Sequence, residues 1–333
     1  MGRLFEARLD SWESWSRVFQ AKELFVPMAR EIFARHGLEF EGLENLAPGT
    51  NAVFRSGGYV VKIAAPEEAG FGDISEEEQR TIDETGVDLG DAEWIDLGDI
   101  ATEIFVTRRA NELGAASPEL VASGTIEDSY YFDYLVTRFI AGEAFDSAAE
   151  RMTPEEKRAA GRELRGITDL INRPCPEMER VRGTDILRDP TRHRRWSVYP
   201  REFRRERMKY LFAHERDFGE RVLVHGDLCG DNIIVGNENG SRKMYIIDFA
   251  DSVLAPKIYE QALIAVELFG FDPELLHGYF GDMPRRELAQ LCLDGMLMHD
   301  FGADIVKHNI APAENMHSLE EMLRAITDKL ENY

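Results

Sequence analysis

The sequence predicts an α+β protein built as two lobes. Three observations carry that expectation: a β-rich first third, a helix-rich remainder, and paired short strands set inside the helical part. At 333 residues the chain is long enough to bury a substantial core. The organisation expected is an N-terminal helical segment (1–36), a first lobe (37–140) with an acidic insertion (66–99), and a mainly helical second lobe (141–333).

The elements follow in order. Leu4, Trp12, Trp15, Val18, Phe19, Leu24, Phe25, Ile32 and Phe33 recur at helical spacing, and Gly37 is a stop signal. Pro48-Gly49-Thr50-Asn51 is turn chemistry, and Ser56-Gly57-Gly58 is a tight hairpin turn before Tyr59-Val60-Val61-Lys62-Ile63. Residues 66–99 carry thirteen acidic residues against one basic residue, Arg80, which reads as a solvated insertion with little core of its own. A helix is expected from Ile100 to Leu113, ended by Gly114 and followed by Pro118. Leu120–Ala122 and Tyr131–Ile140 read as strands.

Thr153-Pro154-Glu155-Glu156 starts a helix, with proline at the first position and acid in the first turn. Residues 180–209 reverse the charge, with eleven Arg and Lys against four acids. Short strands are expected at 222–225, 233–235 and 244–249. Beyond Pro256 the pattern is helical, including one helix over 285–309. No internal repeat is visible.

Bulk properties exclude several classes. Apolar content of 44% and charged content of 30% are those of a globular protein, and no apolar run reaches membrane-spanning length. The N-terminus lacks the apolar segment of a secretory signal, and Glu6 stands where a myristoylation motif needs Ser or Thr, so a cytoplasmic location is expected. Cys175, Cys229 and Cys292 are scattered and odd in number, which suits reduced thiols and not a disulfide framework or a zinc cage. A formal charge of −23 argues against nucleic acid as a partner, while surplus acid also serves solubility alone.

The strongest local signal runs from Val224 through His225-Gly226-Asp227-Leu228-Cys229-Gly230-Asp231-Asn232 to Val235, followed by Ile246-Ile247-Asp248-Phe249. Phosphoryl transfer needs a group that orients a hydroxyl and takes its proton, and a divalent cation on the phosphates. A carboxylate at a strand-to-loop corner, Asp227, suits the first need. The amide oxygen of Asn232, five residues on, and the carboxylate of Asp248, 21 residues on, suit a hard cation. The competing reading makes them loop and turn residues that satisfy backbone groups.

These words, HGDLCGDN and IIDF, resemble the catalytic loop and metal-binding aspartate of the aminoglycoside phosphotransferase and choline kinase-like superfamily. The resemblance implies a protein-kinase-like fold and a Mg²⁺-dependent small-molecule kinase using ATP or GTP. It makes Asp227 catalytic and Asn232 and Asp248 metal ligands, with His225 organising the loop. It further implies nucleotide-binding roles for Lys62 on its strand, for Glu103 as the helix partner of that lysine (Glu112 being the alternative), and for the loop Gly49, Thr50 and Asn51. Leu135–Gly142 resembles the hinge, where backbone groups near Arg138 and Ile140 meet the base. Asp251 and Ala255-Pro256-Lys257-Ile258-Tyr259-Glu260 resemble the segment after the metal aspartate, with Ala255 and Glu260 in place of the usual aspartates. The resemblance covers about residues 45–265.

The acceptor is less legible. Asp294, Asp300 and Asp304 on the 285–309 helix form a candidate face for an ammonium-bearing substrate, against a simple solvated surface. An aminoglycoside-like acceptor, with a role in antibiotic resistance, is the leading expectation. A metabolic kinase of choline, homoserine or a sugar derivative, and a non-catalytic pseudokinase, are the alternatives. No membrane partner is expected.

Overall fold

A computed structural model describes residues 3–47, 49–66, 98–179, 190–238 and 240–333. The acidic insertion expected at 66–99 therefore lies almost wholly outside the described residues, as does the start of the basic run. The residues fall into two compact units.

The first unit takes the described residues up to Pro66 together with Gly98–Glu112 and Ser117–Ala141. Its sheet is antiparallel throughout, in the order β1 (Glu44–Asn45), β2 (Ala52–Ser56), β3 (Tyr59–Ile63), β5 (Tyr131–Arg138), β4 (Leu120–Glu127). Strands β2 and β3 join through a two-residue turn pairing Ser56 with Tyr59, where Gly57 takes φ +56° as a tight hairpin requires. One segment read as a single N-terminal helix is two, α1 (Trp12–Ser16) and α2 (Lys22–Arg35). Aromatic residues of this segment cover the sheet: Phe5, ahead of α1, meets Phe25 and Phe132 at ring distances of 5.2 and 5.1 Å, and Phe25 meets Phe54 at 5.3 Å. Helix α3 (Gly98–Glu112) packs on β4 and β5.

The second unit, Leu113–Ala116 with the described residues from Gly142 onward, is mainly helical. Within it lie a three-stranded sheet, β6 (Gly142–Ala144), β8 (Ile233–Glu238) and β9 (Ser241–Ile246), and a pair, β7 (Arg221–Val224) with β10 (Val253–Pro256). Helix α5 (Pro154–Ile171) starts at the expected capping box, in which Thr153 and Glu156 each bond the other's backbone N–H. It crosses α8 (Pro273–Phe280) at two glycines. A Cβ on Gly161 would lie 2.4 Å from the Leu275 carbonyl, and one on Gly278 would lie 2.4 Å from the Arg158 carbonyl.

The helix expected over 285–309 is broken. Helix α9 (Arg285–Met298) ends at His299, whose backbone turns extended, and α10 (Gly302–Asn309) begins after a short turn. The cause is tertiary. Tyr259 stacks on the His299 ring at 4.0 Å and accepts the Asp300 N–H at 3.1 Å, so a side chain replaces the next helical carbonyl.

Candidate active site

The segment 225–232 leaves β7 and has little freedom. His225 is 1% exposed. Its Nε2–H donates to the Ile247 carbonyl at 2.9 Å, and its Nδ1 accepts the Asp227 N–H at 3.2 Å. Those partners fix the tautomer and occupy both ring nitrogens, so His225 organises the loop. Its backbone N–H donates to the buried Glu260 carboxylate, which also accepts from Asn172 Nδ2 at 2.9 Å. Ser252 Oγ donates to the His225 carbonyl at 3.3 Å. Glu260 was legible only as a departure from the family pattern. It acts as the brace beneath the loop.

Gly226 is the corner. Its φ is +88°, and a Cβ there would lie 1.9 Å from the Asp251 carbonyl oxygen. Only glycine satisfies both conditions. The corner presents the half-buried Asp227 carboxylate. Asn232 returns across the loop, and its Nδ2 donates to the Asp227 carbonyl at 2.7 Å and to Asp227 Oδ2 at 3.2 Å. Because the amide nitrogen is held by Asp227, the amide oxygen is directed to its other side. Asp248 follows β9 in the left-handed region, φ +60°, which aspartate tolerates better than most residues. Burial pushes the Asp227 carboxyl above the usual carboxylate range and the Asp248 charge adds to that, while His225, the Asn232 hydrogen bond and Arg195 oppose it.

Further acid surrounds the loop. Gly230 makes room for Asp146, since a Cβ would fall 2.1 Å from Asp146 Oδ1. Burial, Asp231 and Glu150 all push the Asp146 carboxyl up. Glu267 lies in a π turn, Ile264–Leu268, that continues helix α7 (Ile258–Leu263). Its side chain is exposed, yet desolvation by its surroundings and then Asp227 push its carboxyl up, with His308 opposing.

Oxygen donors of this kind suit Mg²⁺. Among the described residues no group of three or more His, Cys, Asp or Glu side chains forms a metal cage. Mg²⁺ is ordinarily held by one or two protein oxygens together with substrate phosphates, and Asn232 with Asp248 match that requirement.

In the first unit, Lys62 Nζ lies 2.7 Å from Glu103 Oε2, with both side chains under a tenth exposed. Glu103 sits on α3, and Lys62 on β3, whose last three residues are all buried. Glu112, the alternative, is exposed. The exposed Gly49 and Thr50 precede Asn51, whose Oδ1 accepts the Ala65 N–H at 3.3 Å, and Trp15 Nε1 donates to the Thr50 carbonyl at 2.8 Å. Arg138 ends β5. Its N–H donates to the Glu119 carbonyl at 2.9 Å and its guanidinium lies over Tyr59, and Ile140 follows two residues on, half-buried.

The three acids expected to form one substrate face do not share a helix. Asp294 accepts from Tyr210 and Gln290, each at 2.8 Å, on α9. Asp300 lies in the turn after it, and Asp304 on α10 pairs with Arg195 at 3.0 Å. Glu267 and Asp146 carried no sequence signal, and Arg195 only that of a basic run, because each comes to the 225–232 segment from an element distant in the chain.

A family model described as the phosphotransferase enzyme family, APH, matches residues 51–289. No curated protein matches in sequence. Among solved structures, the chain is similar to the GDP complex of a mutant aminoglycoside 2'-phosphotransferase-IIIa, with TM-score 0.52, 13% identity, and 92% of this chain and 97% of that one covered. It is also similar to a thermostable mutant of aminoglycoside phosphotransferase APH(4)-Ia in its apo form, with TM-score 0.51, 16% identity, and coverage of 91% and 98%. A further variant of the latter, in a ternary complex with AMP-PNP and hygromycin B, gives TM-score 0.52 at 15% identity, with coverage of 92% and 99%. Those likenesses establish the fold, a β-sheet region followed by a helical region of the kinase-like kind, and the family match spans most of the chain. The chain is a phosphotransferase and belongs to the phosphotransferase enzyme family, APH.

Proposed function

We propose that this protein transfers the γ-phosphoryl group of ATP or GTP to a hydroxyl of a small molecule, with Mg²⁺ bound by Asn232 and Asp248. The observation that carries this reading is the catalytic loop, in which every backbone constraint on His225, Gly226 and Asn232 converges on presenting Asp227. Asp227 orients the acceptor hydroxyl and takes its proton as the new O–P bond forms. The bond from the γ-phosphorus to the β–γ bridging oxygen breaks, and the nucleoside diphosphate leaves. Mg²⁺, when bound, neutralises charge on the phosphates. Lys62, held by Glu103, binds nucleotide phosphate; the Gly49-Thr50-Asn51 loop lies along it, and backbone groups of Arg138 and Ile140 meet the base. Since the Arg138 N–H is taken by Glu119, its carbonyl and the Ile140 N–H are the groups assigned to the base.

Two acceptor classes compete. Solved relatives bound to hygromycin B favour an aminoglycoside-like acceptor and hence a resistance enzyme. The internal partners of Asp294 and Asp304 favour a smaller metabolic acceptor, since those acids are not a free face for a polyamine. The second observation belongs to this chain, and we adopt the smaller acceptor. The reading also places the protein in the cytoplasm, where both nucleotides are available.

The test is phosphoryl transfer from ATP and GTP in parallel against aminoglycosides, amino alcohols, hydroxy amino acids and sugars, with Mg²⁺ or with EDTA. Transfer to at least one acceptor that requires Mg²⁺ and Asp227 is expected. Transfer that survives EDTA, or Asp227→Ala, refutes the assignment.

A further inference from the structure

Arg195 is the feature the reaction as described leaves unused. It lies in a 3-10 helix, Pro190–Val198, whose position is set from beneath. Trp196, 1% exposed, stacks on Phe203 at 5.8 Å and lies under the buried Arg207 guanidinium at 4.4 Å. Arg207 in turn donates to the Leu297 carbonyl at 2.7 Å and contacts His193 Nδ1 at 3.1 Å. Fixed backbone thus carries Arg195. Its guanidinium rests on the Phe301 ring at 4.7 Å and donates Nη1 to Asp304 at 3.0 Å, with a third of the side chain still exposed. A stacked, singly paired guanidinium on a rigid support is the arrangement that presents a remaining edge to a planar anion.

Glu267 is its counterpart. Among the described residues it makes no hydrogen bond or salt bridge, though it is open to solvent, and the charge of His308 acts on it. Helix α10 packs on both the π turn that carries Glu267 and the 3-10 helix that carries Arg195. Each residue is close enough to Asp227 for charge interaction, Arg195 attracting and Glu267 repelling. One positive and one negative group of this unit, on two segments packed against the same helix, therefore act on the carboxylate that receives the hydroxyl.

We propose that the acceptor is bipolar: a small hydroxylated molecule whose carboxylate is taken by Arg195 and whose ammonium group is taken by Glu267. The inference rests on the phosphotransferase reading above and narrows its substrate. A polycation has no use for Arg195, and a simple anion meets Glu267 unfavourably. Only a molecule with both charges satisfies both side chains while presenting its hydroxyl between them.

The experiment compares homoserine and serine (both charges), 4-hydroxybutyrate (anion only), ethanolamine and choline (cation only) and kanamycin as acceptors for Mg-ATP and Mg-GTP. Homoserine or serine is expected to have the highest kcat/KM. Losing one charge-assisted contact should raise the acceptor KM about 10–100-fold. Arg195→Gln should therefore erode the preference for homoserine over ethanolamine by that factor. Glu267→Gln should erode the preference over 4-hydroxybutyrate. A structural defect lowers all acceptors together and leaves those ratios in place, and Arg195→Lys, which keeps the charge, should restore part of the preference. Preferred turnover of choline or kanamycin, or ratios unmoved by either variant, overturns the inference and leaves the phosphotransferase reading standing. Absence of Mg²⁺-dependent transfer to every acceptor overturns that reading and this inference together.

Discussion

Glu260→Ala and Glu260→Gln remove the same carboxylate in two different ways. Glu260 is 1% exposed and accepts from the His225 N–H and from Asn172 Nδ2. In the alanine variant both donor hydrogens lose their partner inside the protein, at about 1–3 kcal/mol each, before any cavity term. Asn172 keeps its second bond, to the Leu223 carbonyl at 3.1 Å, so the loss does not spread further along β7. The glutamine variant keeps the shape and one acceptor oxygen. It loses about one such bond, and the removal of a buried charge offsets part of that loss. The two variants should therefore differ by about 2–3 kcal/mol. At roughly 2–4 °C per kcal/mol for a unit of this size, alanine should melt about 5–10 °C below glutamine.

A pH arm checks the same carboxylate. Burial raises the folded pKa of Glu260 above its ordinary value of 4.5. A raised carboxylate pKa contributes stability that is complete below the unfolded value and is lost as pH rises through the folded one. The Tm difference between wild type and Glu260→Gln should thus be most favourable to wild type near the ordinary value of 4.5 and decline above it. Thermal unfolding monitored by circular dichroism measures both arms. Equal Tm values for the two variants, or a difference that grows with pH, would refute the role given to Glu260.

Three other outcomes follow from the site. Glu103→Ala leaves Lys62 buried without its carboxylate and should cost about 3–5 kcal/mol, whereas Lys62→Met with Glu103→Leu should recover stability but not nucleotide affinity, read by chemical unfolding and nucleotide titration. Asp227→Asn should lower kcat about 10²–10⁴-fold with Tm unchanged or higher, because the carboxylate it replaces is desolvated and lies near Asp248. Gly226→Ala forces a β-carbon into the Asp251 carbonyl at a positive φ, and should cost about 2–4 kcal/mol together with most of the activity, measured by Tm and transfer rate.

What the sequence disclosed, and what it withheld, divides along a physical line. The placement of Lys62, Asp227, Asn232 and Asp248 was legible because it is held by local backbone: a strand, a corner and a five-residue return. Glycine at 226 and the short strands on either side encode that geometry within a few residues. The helix over 285–309 misled because periodicity sees only its own chain. Tyr259, 41 residues before Asp300, satisfies the Asp300 N–H and ends the helix from outside. Arg195 was visible only as one charge in a basic run, since its partners Phe301 and Asp304 lie more than a hundred residues away. Glu260 stood out as a departure from the usual aspartate, and its longer side chain reaches the His225 N–H directly.

The net charge of −23 acquires a local meaning at the catalytic loop. Asp146, Asp231, Asp248 and Glu267 all belong to the unit that carries Asp227, and like charge with desolvation pushes Asp146, Asp227 and Glu267 upward together. Such crowding is costly unless cations are supplied, and a buried His225 used on both nitrogens is a weak source. The proposed Mg²⁺ site accounts for Asp248. Arg195 accounts for part of the field at Asp227, from a support that the buried Arg207 holds in place. Glu267, like Asp146 and Asp231, has no salt bridge among the described residues, and the pull of His308 does not offset its desolvation. A protein that only needed solubility would put such an acid on a convex surface in water. Keeping it desolvated near the carboxylate proposed to take the hydroxyl proton makes sense if the missing cation arrives with the acceptor, and then departs with the phosphorylated product.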